Sequence, residues 1–224
     1  MFFNREPVAE DMQRWDKLYY VCSKASESGI LEGNIIVDAY KAQPERWDKN
    51  GDGKLQYVLL EGEQGHQDAL IRTEITIKTI TDAGVSLDKL DGETADWQRA
   101  QASVLMSQWL NTYGSEIELI ISNNDNMALG ALDAYQDAKI SELPLIAGID
   151  AILPALDAVE AGTMTGTVLN DAKGQAQAVF DLAYALAQGK DPVDDPEVLE
   201  NRYVWIPQQS VTKDNVQQIR ELLQ

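Results

Sequence analysis

Nine consecutive residues, 48–56 (DKNGDGKLQ), place oxygen-bearing side chains at fixed intervals. Oxygen side chains stand at the first, third, fifth and ninth positions, and Gly53 stands at the sixth, where the loop turns sharply. The seventh position, Lys54, serves such loops through its backbone carbonyl, so its charge is tolerated. This spacing is typical of an EF-hand calcium loop. The loop ligands that it predicts are Asp48, Asn50, Asp52, Lys54 and Gln56.

The predicted loop is incomplete by itself. Calcium takes about six to eight oxygens, and an EF-hand supplies two of them from a glutamate at position twelve. Position twelve here is Leu59, inside an apolar run, so a carboxylate has to come from elsewhere in the fold. The alternative is a plain turn entering a strand, because Asp, Asn and Gly dominate turns.

Short apolar runs alternate with amphipathic stretches along most of the chain. The pattern predicts strands at residues 55–61, 117–122, 145–149 and 166–169, and helices at residues 68–83, 96–110, 126–138, 154–161 and 171–188. Strands alternating with helices at this spacing predict an α/β fold with a parallel sheet covered on both faces. A further strand is predicted near residues 203–206 and a final helix at residues 214–223.

Polar side chains follow every strand of this block, and ligands bind parallel sheets at the carboxyl ends of their strands. The residues in these positions are Gly65, His66, Gln67 and Asp68; Asn123, Asn124 and Asp125; Asp150; and Asn170 with Asp171. The sequence therefore predicts one coherent polar edge.

Composition narrows the function classes. A net charge of −19 over 224 residues argues against nucleic-acid binding. Cys22 is the only cysteine, which excludes an intrachain disulfide. No run reaches the ~18 apolar residues of a membrane helix, so we expect no membrane insertion. The N-terminus has no pattern of a signal peptide. Residues 190–201 (KDPVDDPEVLEN) are predicted to form a solvated connection.

The loop DKNGDGKLQ, running into YVLLEG and then GHQDALIRT, resembles the galactose/glucose-binding protein family of bacterial sugar importers. The segments FFNREP, SNNDNMALGA, AGIDAILPAL and GTVLNDAKGQA resemble family motifs in the family's order. The resemblance implies a two-lobe periplasmic-binding-protein fold (type I) and no enzymatic activity. It also implies that calcium is completed by a distant glutamate, at the matching position Glu118 in IELIISNND.

The resemblance also implies a set of sugar contacts. Arg and His can donate to a pyranose and Asp and Asn can accept from it, while a tryptophan can lie on its apolar C–H face. Carried over position by position, the contacts are Asn4, His66, Asp68, Arg72, Trp97, Asn124, Asp150 and Asn170.

The same resemblance predicts how the chain divides. One lobe is expected from residues 1–22 with 171–206, and the other from residues 23–170 with 207–224, which carries the calcium loop. The first lobe is expected to be incomplete, because family members place further strands, a second stacking aromatic and an acidic contact before FFNREP. Weak sugar binding and exposure of Phe2, Phe3 and the apolar face of the helix at 171–188 follow as expectations.

The family further implies D-galactose or D-glucose as ligand, an ABC permease and in some members a chemoreceptor as partners, and a periplasmic location for the parent protein. Alternatives remain open. Asp68 could cap its helix and pair with Arg72, and Trp97 could be a core aromatic. An enzymatic Asp68–Asp150 pair is disfavoured, because Arg72 would lower the pKa that a general acid needs raised. A sugar-responsive regulator's effector domain and a calcium-stabilised scaffold are the remaining alternatives.

Overall fold

The computed structural model describes residues 1–190 and 202–223. Contacts divide the chain into two compact units, the first formed by Met1–Lys24 with Asn170–Gln208 and the second by Ala25–Leu169 with Gln209–Gln224. Of the predicted solvated connection at 190–201, residues 191–201 lie outside the described residues. Within the described part of the chain, no helix has both the length and the apolar character that crossing a bilayer requires.

The second unit is built on a parallel sheet. Its strands are β3 (Lys54–Glu61), β4 (Ser86–Thr94), β5 (Leu119–Ser122) and β6 (Leu145–Ala147), in the order β4-β3-β5-β6. Strand β7 (Thr167–Leu169) continues the sheet through a parallel bridge from Ala147 to Gly166, and β9 (Gln209–Val211) pairs with β7 antiparallel.

Alternating residues of these strands face two different layers of helices. Helices α2 (Ala25–Ala42) and α4 (Gln67–Asp82) pack on the face that carries Leu59 and Leu119. The opposite face, with Val58 and Ile120, packs on four further helices. They are α5 (Arg99–Thr112), α6 (Asp125–Asp137), α7 (Leu153–Ala161) and α9 (Val216–Leu223). The predicted parallel α/β architecture is confirmed, because the strands are parallel and helices cover both faces of the sheet. A strand buried on both faces presents apolar residues to both, which explains its continuous apolar run.

The first unit contains three parallel strands, β1 (Phe2–Phe3), β2 (Tyr20–Cys22) and β8 (Tyr203–Trp205), in the order β1-β2-β8. Its helices are α1 (Ala9–Gln13) and α8 (Ala172–Ala187). Leu182 of α8 packs against Tyr19 and Val21, whereas Phe180 is 63% exposed and stacks on Tyr184. Phe2 and Phe3 are exposed as well.

Several element predictions need correction. Helix α5 begins at Arg99 rather than residue 96, because Asp96 and Trp97 have positive φ angles of 49° and 65°. Strand β4 was missed, because its sequence, SLDKLDGET, is mostly polar and has no run of apolar residues. Two short elements were not predicted. Helix α3 (Pro44–Trp47) lies just before the loop at 48–56, and a 3-10 turn, Gly114–Glu116, lies just before β5.

Candidate functional site

The ends of β3, β4 and β5 bring five predicted site residues together. His66 and Asp68 lie at the start of α4, Arg72 lies one turn further, Trp97 follows β4, and Asn124 follows β5. Because the three strands are parallel neighbours, their carboxyl ends meet at the same edge of the sheet. All five residues belong to the second unit.

His66 determines how helix α4 begins. The helix starts at Gln67 and His66 is its N-cap, with Nδ1 accepting a hydrogen bond from the Asp68 backbone N–H at 3.2 Å. This bond assigns the proton of the neutral ring to Nε2, which remains a donor for a ligand. The alternative in which Asp68 caps the helix is therefore wrong, because His66 takes that position and leaves the Asp68 carboxylate to other partners.

Arg72 is the buried cation of the site, with 7% of its surface exposed. Its Nη1 donates to the Asn123 carbonyl oxygen at 2.9 Å, and its Nη2 lies 3.7 Å from Asp68 Oδ2. Its Nε is buried and donates to none of the described residues. A guanidinium held by a strand-end carbonyl and a carboxylate is fixed in place, so its position is set before any ligand arrives.

Trp97 provides an apolar surface next to these polar groups. Its ring meets His66 edge to face at a centroid distance of 5.3 Å, and the Arg72 guanidinium carbon lies 5.9 Å from the ring centroid. A Cβ at Gly62 would come within 2.2 Å of the indole, so the ring needs glycine at that position. Trp97 is half-buried and packs partly on the core, so it serves as a core aromatic as well as a site residue.

Asn124 is engaged on both sides of its amide. Its Oδ1 accepts from the Met127 N–H at 2.9 Å and so caps α6, and its Nδ2 donates to the Trp97 carbonyl oxygen at 3.3 Å. The second hydrogen of Nδ2 is the part of this side chain that remains for a ligand. Asn124 thereby links the Trp97 loop to the end of β5.

Asp150 lies beyond the end of β6, in a turn with unusual backbone angles. Its φ is 128° and that of Ala151 is 55°. The side chain is half-buried, and its charge acts on buried Asp125. Burial, with Asp150 as the second cause, raises the pKa of Asp125 to about 7.

The remaining two predicted contacts, Asn4 and Asn170, lie in the first unit. Asn4 has a positive φ of 65°, and its carbonyl oxygen accepts from the Tyr20 hydroxyl at 3.3 Å. Asn170 Oδ1 accepts from Gln175 Nε2 at 2.7 Å.

The loop at residues 48–54 folds around its own oxygens. Asp48 accepts backbone N–H bonds from Gly51, Asp52 and Gly53, at 2.8 to 3.1 Å. Asn50 Oδ1 accepts from the Asp52 N–H at 2.9 Å. Gly53 has a φ of 79°, which glycine adopts without strain. These bonds turn the side-chain oxygens toward the inside of the loop.

Glu118 reaches the loop from the position before β5. Its carboxylate accepts from the backbone N–H groups of Lys49 and Gln56, the second at 3.1 Å. Only 1% of its surface is exposed, and burial raises its pKa. The pKa of Tyr40 is raised by burial and then by the negative charges of Asp48, Glu118 and Asp52, so these carboxylates share one neighbourhood.

The donor set of this loop fits a hard cation. Gln56 Oε1 is buried and accepts no hydrogen bond from the described residues, while its Nε2 donates to Asp52 Oδ2 at 2.9 Å. Oxygen ligands are what calcium selects. Within the described residues, no three His, Cys, Asp or Glu side chains form a metal cluster by themselves, so amide and carbonyl oxygens have to complete the set.

A buried acid that the sequence did not single out lies beneath the site. Glu32 of α2 is fully buried, and its Oε2 accepts from the Thr76 hydroxyl of α4 at 2.8 Å. Its Oε1 is buried without a hydrogen bond to any described residue. Burial raises its pKa to about 8, against a smaller lowering by Thr76 and by the Arg72 charge. No sequence signal pointed to it, since a glutamate on a helix is ordinarily exposed.

Glu32 makes stability fall with rising pH. From the ordinary glutamate value of 4.5 up to about 8, the folded chain binds more protons than the unfolded chain. The free energy of unfolding should therefore decrease over this window, by on the order of a few kcal/mol. Glu32→Gln should make the decrease shallower. Urea unfolding at several pH values measures it, with exposed Glu74→Gln as the control, and equal slopes in both variants would contradict the assignment.

The fold is a parallel α/β sheet with polar side chains gathered at the carboxyl ends of its strands, where proteins of this fold class bind ligands. The sequence profile of the periplasmic binding protein domain family matches residues 1–191. The chain belongs to this family.

Three proteins of known name or structure are similar to this chain. The D-galactose/methyl-galactoside binding periplasmic protein of Haemophilus influenzae is 41% identical over 96% of this chain and 65% of its own length. The xylitol-binding protein of Mycolicibacterium smegmatis is 32% identical, over 86% of this chain and 53% of its own length. An ABC transporter solute-binding protein of Bacillus halodurans with bound myo-inositol is 30% identical, with a TM-score of 0.78 over 97% of this chain and 67% of its own.

The chain thus spans less than two thirds of the length of the first two relatives. Two of these relatives are named for binding a galactoside or xylitol, and the third holds bound myo-inositol. That agrees with the prediction that this chain is a binding protein.

Proposed function

We propose that this chain binds a monosaccharide of the galactose or glucose type, through His66, Asp68, Arg72, Trp97, Asn124 and Asp150 of the second unit. The observation that carries the proposal is the contact between a buried arginine, a carboxylate and a tryptophan face at one sheet edge. A pyranose presents hydroxyls that donate and accept together with an apolar C–H face. Such a surface matches that combination.

Each group has a distinct role in the proposed complex. The Nε2–H of His66 and the free N–H groups of Arg72 donate to sugar hydroxyl oxygens, and the carboxylates of Asp68 and Asp150 accept from sugar hydroxyls. These bonds involve charged groups and are the stronger kind. Trp97 covers the apolar face of the ring.

We further propose that calcium stabilises the loop, held by Asp48, Asn50, Asp52, Gln56, the Lys54 carbonyl and Glu118. The buried acceptor on Gln56 and the buried carboxylate of Glu118 support this, because a cation would satisfy both. The ion supplies positive charge that ties the loop to the segment before β5.

The names of the relatives support a cellular location and a transport role for the proposed activity. We further propose a periplasmic location, delivery of the sugar to an ABC permease and, as in some members of the family, signalling to a chemoreceptor. Galactose in particular is supported by the name of the 41% identical Haemophilus protein.

Titration calorimetry of D-galactose and D-glucose into the calcium-loaded chain tests the sugar proposal, with xylitol and myo-inositol as comparison ligands. Saturable heat on titration of either hexose supports the proposal. Saturation only with the polyols would assign a polyol instead. No heat from any of the four would contradict the proposed ligand class.

A further inference from the structure

The turn that carries Asp150 is held in a conformation that its residues seldom adopt. Asp150 and Ala151, between β6 and α7, both have positive φ angles, 128° and 55°. Residues with a Cβ persist there only where the surrounding structure holds them. Identifying what holds this turn therefore identifies what positions the Asp150 carboxylate.

Hydrogen bonds engage the backbone of the turn at each step. The Asp150 N–H donates to the Val168 carbonyl oxygen at 2.8 Å, and the Ala151 N–H donates to Thr167 Oγ1 at 3.3 Å. The Ile152 N–H then donates to Asp125 Oδ2 at 3.0 Å. Two of these three bonds end on side chains, Thr167 and Asp125, rather than on the strand ladder.

Those two side chains are coupled to each other. The Thr167 hydroxyl donates to Asp125 Oδ1 at 2.6 Å, and both residues are fully buried. A Cβ at Gly148 would lie 2.5 Å from Asp125 Oδ1, so the missing side chain at 148 leaves room for the carboxylate. The carboxylate thus accepts from β7 with one oxygen and from the turn with the other.

We propose that Asp125 is a positioning residue, which acts with Thr167 to hold the left-handed Asp150–Ala151 turn and so presents the Asp150 carboxylate to the sugar. The consequence for binding rests on the proposed function, whereas the holding of the turn does not. The competing role for Asp125 is a favourable charge in the first turn of α6. That role would not reach the turn, and Asn124 already caps the helix.

Amide hydrogen exchange of the sugar-free chain, followed by NMR, tests the holding of the turn. Asp125→Asn and Thr167→Val should each reduce protection of the Ile152 and Ala151 amides by about ten-fold or more. The first variant weakens the acceptor of the Ile152 N–H, and the second removes the acceptor of the Ala151 N–H. Thr167→Ser keeps the hydroxyl and should restore wild-type protection. Asp137→Asn, exposed at the far end of the same helix, is the control.

A second-site variant tests the link to backbone strain. Ala151→Gly accommodates the left-handed angle without a Cβ, so adding it to Asp125→Asn should recover part of the lost protection. Where Asp125→Asn does not fold, the Thr167→Val and Thr167→Ser pair gives the same comparison. Protection at Ile152 within two-fold of wild type, or a loss spread evenly over α6, would overturn the proposal.

Sugar titration of the same variants separates this inference from the proposed function. If the wild type binds hexose, Asp125→Asn and Thr167→Val should weaken binding by about ten-fold, and Thr167→Ser should restore it. Unchanged affinity alongside lost protection would overturn the positioning role. If the wild type binds no sugar, the proposed function fails, and the exchange data alone decide whether Asp125 holds the turn.

Discussion

Glu118→Gln is expected to abolish most of the calcium-dependent stability of this chain. With free calcium about a hundred-fold above its dissociation constant, the ion should stabilise the wild type by ~2.7 kcal/mol. For a chain of this length that corresponds to a melting temperature higher by about 5–10 °C than in chelator. Gln keeps the shape of Glu118 but removes the charge that the fold buries beside the loop.

The measurement is the difference between melting temperatures in calcium and in chelator, for wild type and variant. Loss of a charged ligand should weaken calcium by at least about 100-fold, which reduces the difference to about 1–2 °C. Losing the bonds that Glu118 accepts from Lys49 and Gln56 lowers both melting temperatures of the variant equally. The difference between the two melting temperatures therefore reports only the effect of calcium.

Glu74→Gln is the matched control, because it makes the same substitution at an exposed acid of α4, outside the loop. Its melting difference should equal that of the wild type. A wild type that melts identically with calcium and with chelator would show that the loop is an ordinary turn. An equal lowering of both melting temperatures in Glu118→Gln would give Glu118 a purely structural role.

Arg72→Lys is expected to weaken hexose binding by about 10- to 100-fold. Lysine keeps the charge but cannot donate in several directions at once, as Arg72 does toward the Asn123 carbonyl and Asp68. It also loses the planar guanidinium next to Trp97. One or two bonds between charged groups and sugar account for a loss of this size.

Calorimetric titration of galactose measures the change in affinity, and the melting temperature of each variant shows how much stability was lost alongside it. Arg99→Lys is the control, since Arg99 is half-exposed and pairs at 2.6 Å with Asp133, which is not a predicted site residue. Asp68→Asn provides a second site variant, which keeps the Arg72 guanidinium and removes the negative charge 3.7 Å from it. Wild-type affinity in both Arg72→Lys and Asp68→Asn would place the sugar elsewhere.

From residue 55 onward, most of the strands and helices were predictable because they depend on local periodicity; helix α2 (Ala25–Ala42) was not predicted. The apolar run at 55–61 is buried, and of the predicted helix face Ala102, Met106 and Trp109 are buried and Leu105 is half-buried. The polar residues at strand ends were also visible, because parallel strands place their carboxyl ends at one edge. Elements without a local pattern were missed, as with the polar edge strand β4.

Among the strand-end residues, the sequence could not separate those that face a ligand from those that hold the site. Asn123, Asn124 and Asp125 are adjacent, yet the Asn123 carbonyl fixes Arg72 across 51 residues and Asp125 bonds Thr167 across 42. Such partners are set by which strands become neighbours in the sheet. Nothing in the spacing of the chain encodes them.

The sequence by itself determined the α/β class, the geometry of the loop at 48–56 and the set of residue types at the sheet edge, because turns and helical or strand periods are local properties. The tertiary structure alone decided that Glu32 is buried against Thr76 and that Asp150 stands on a strained turn, whereas Glu118 was expected at the loop from the family resemblance and not from its spacing. The physical reason is that burial and hydrogen bonding between distant segments arise only once the layers have packed.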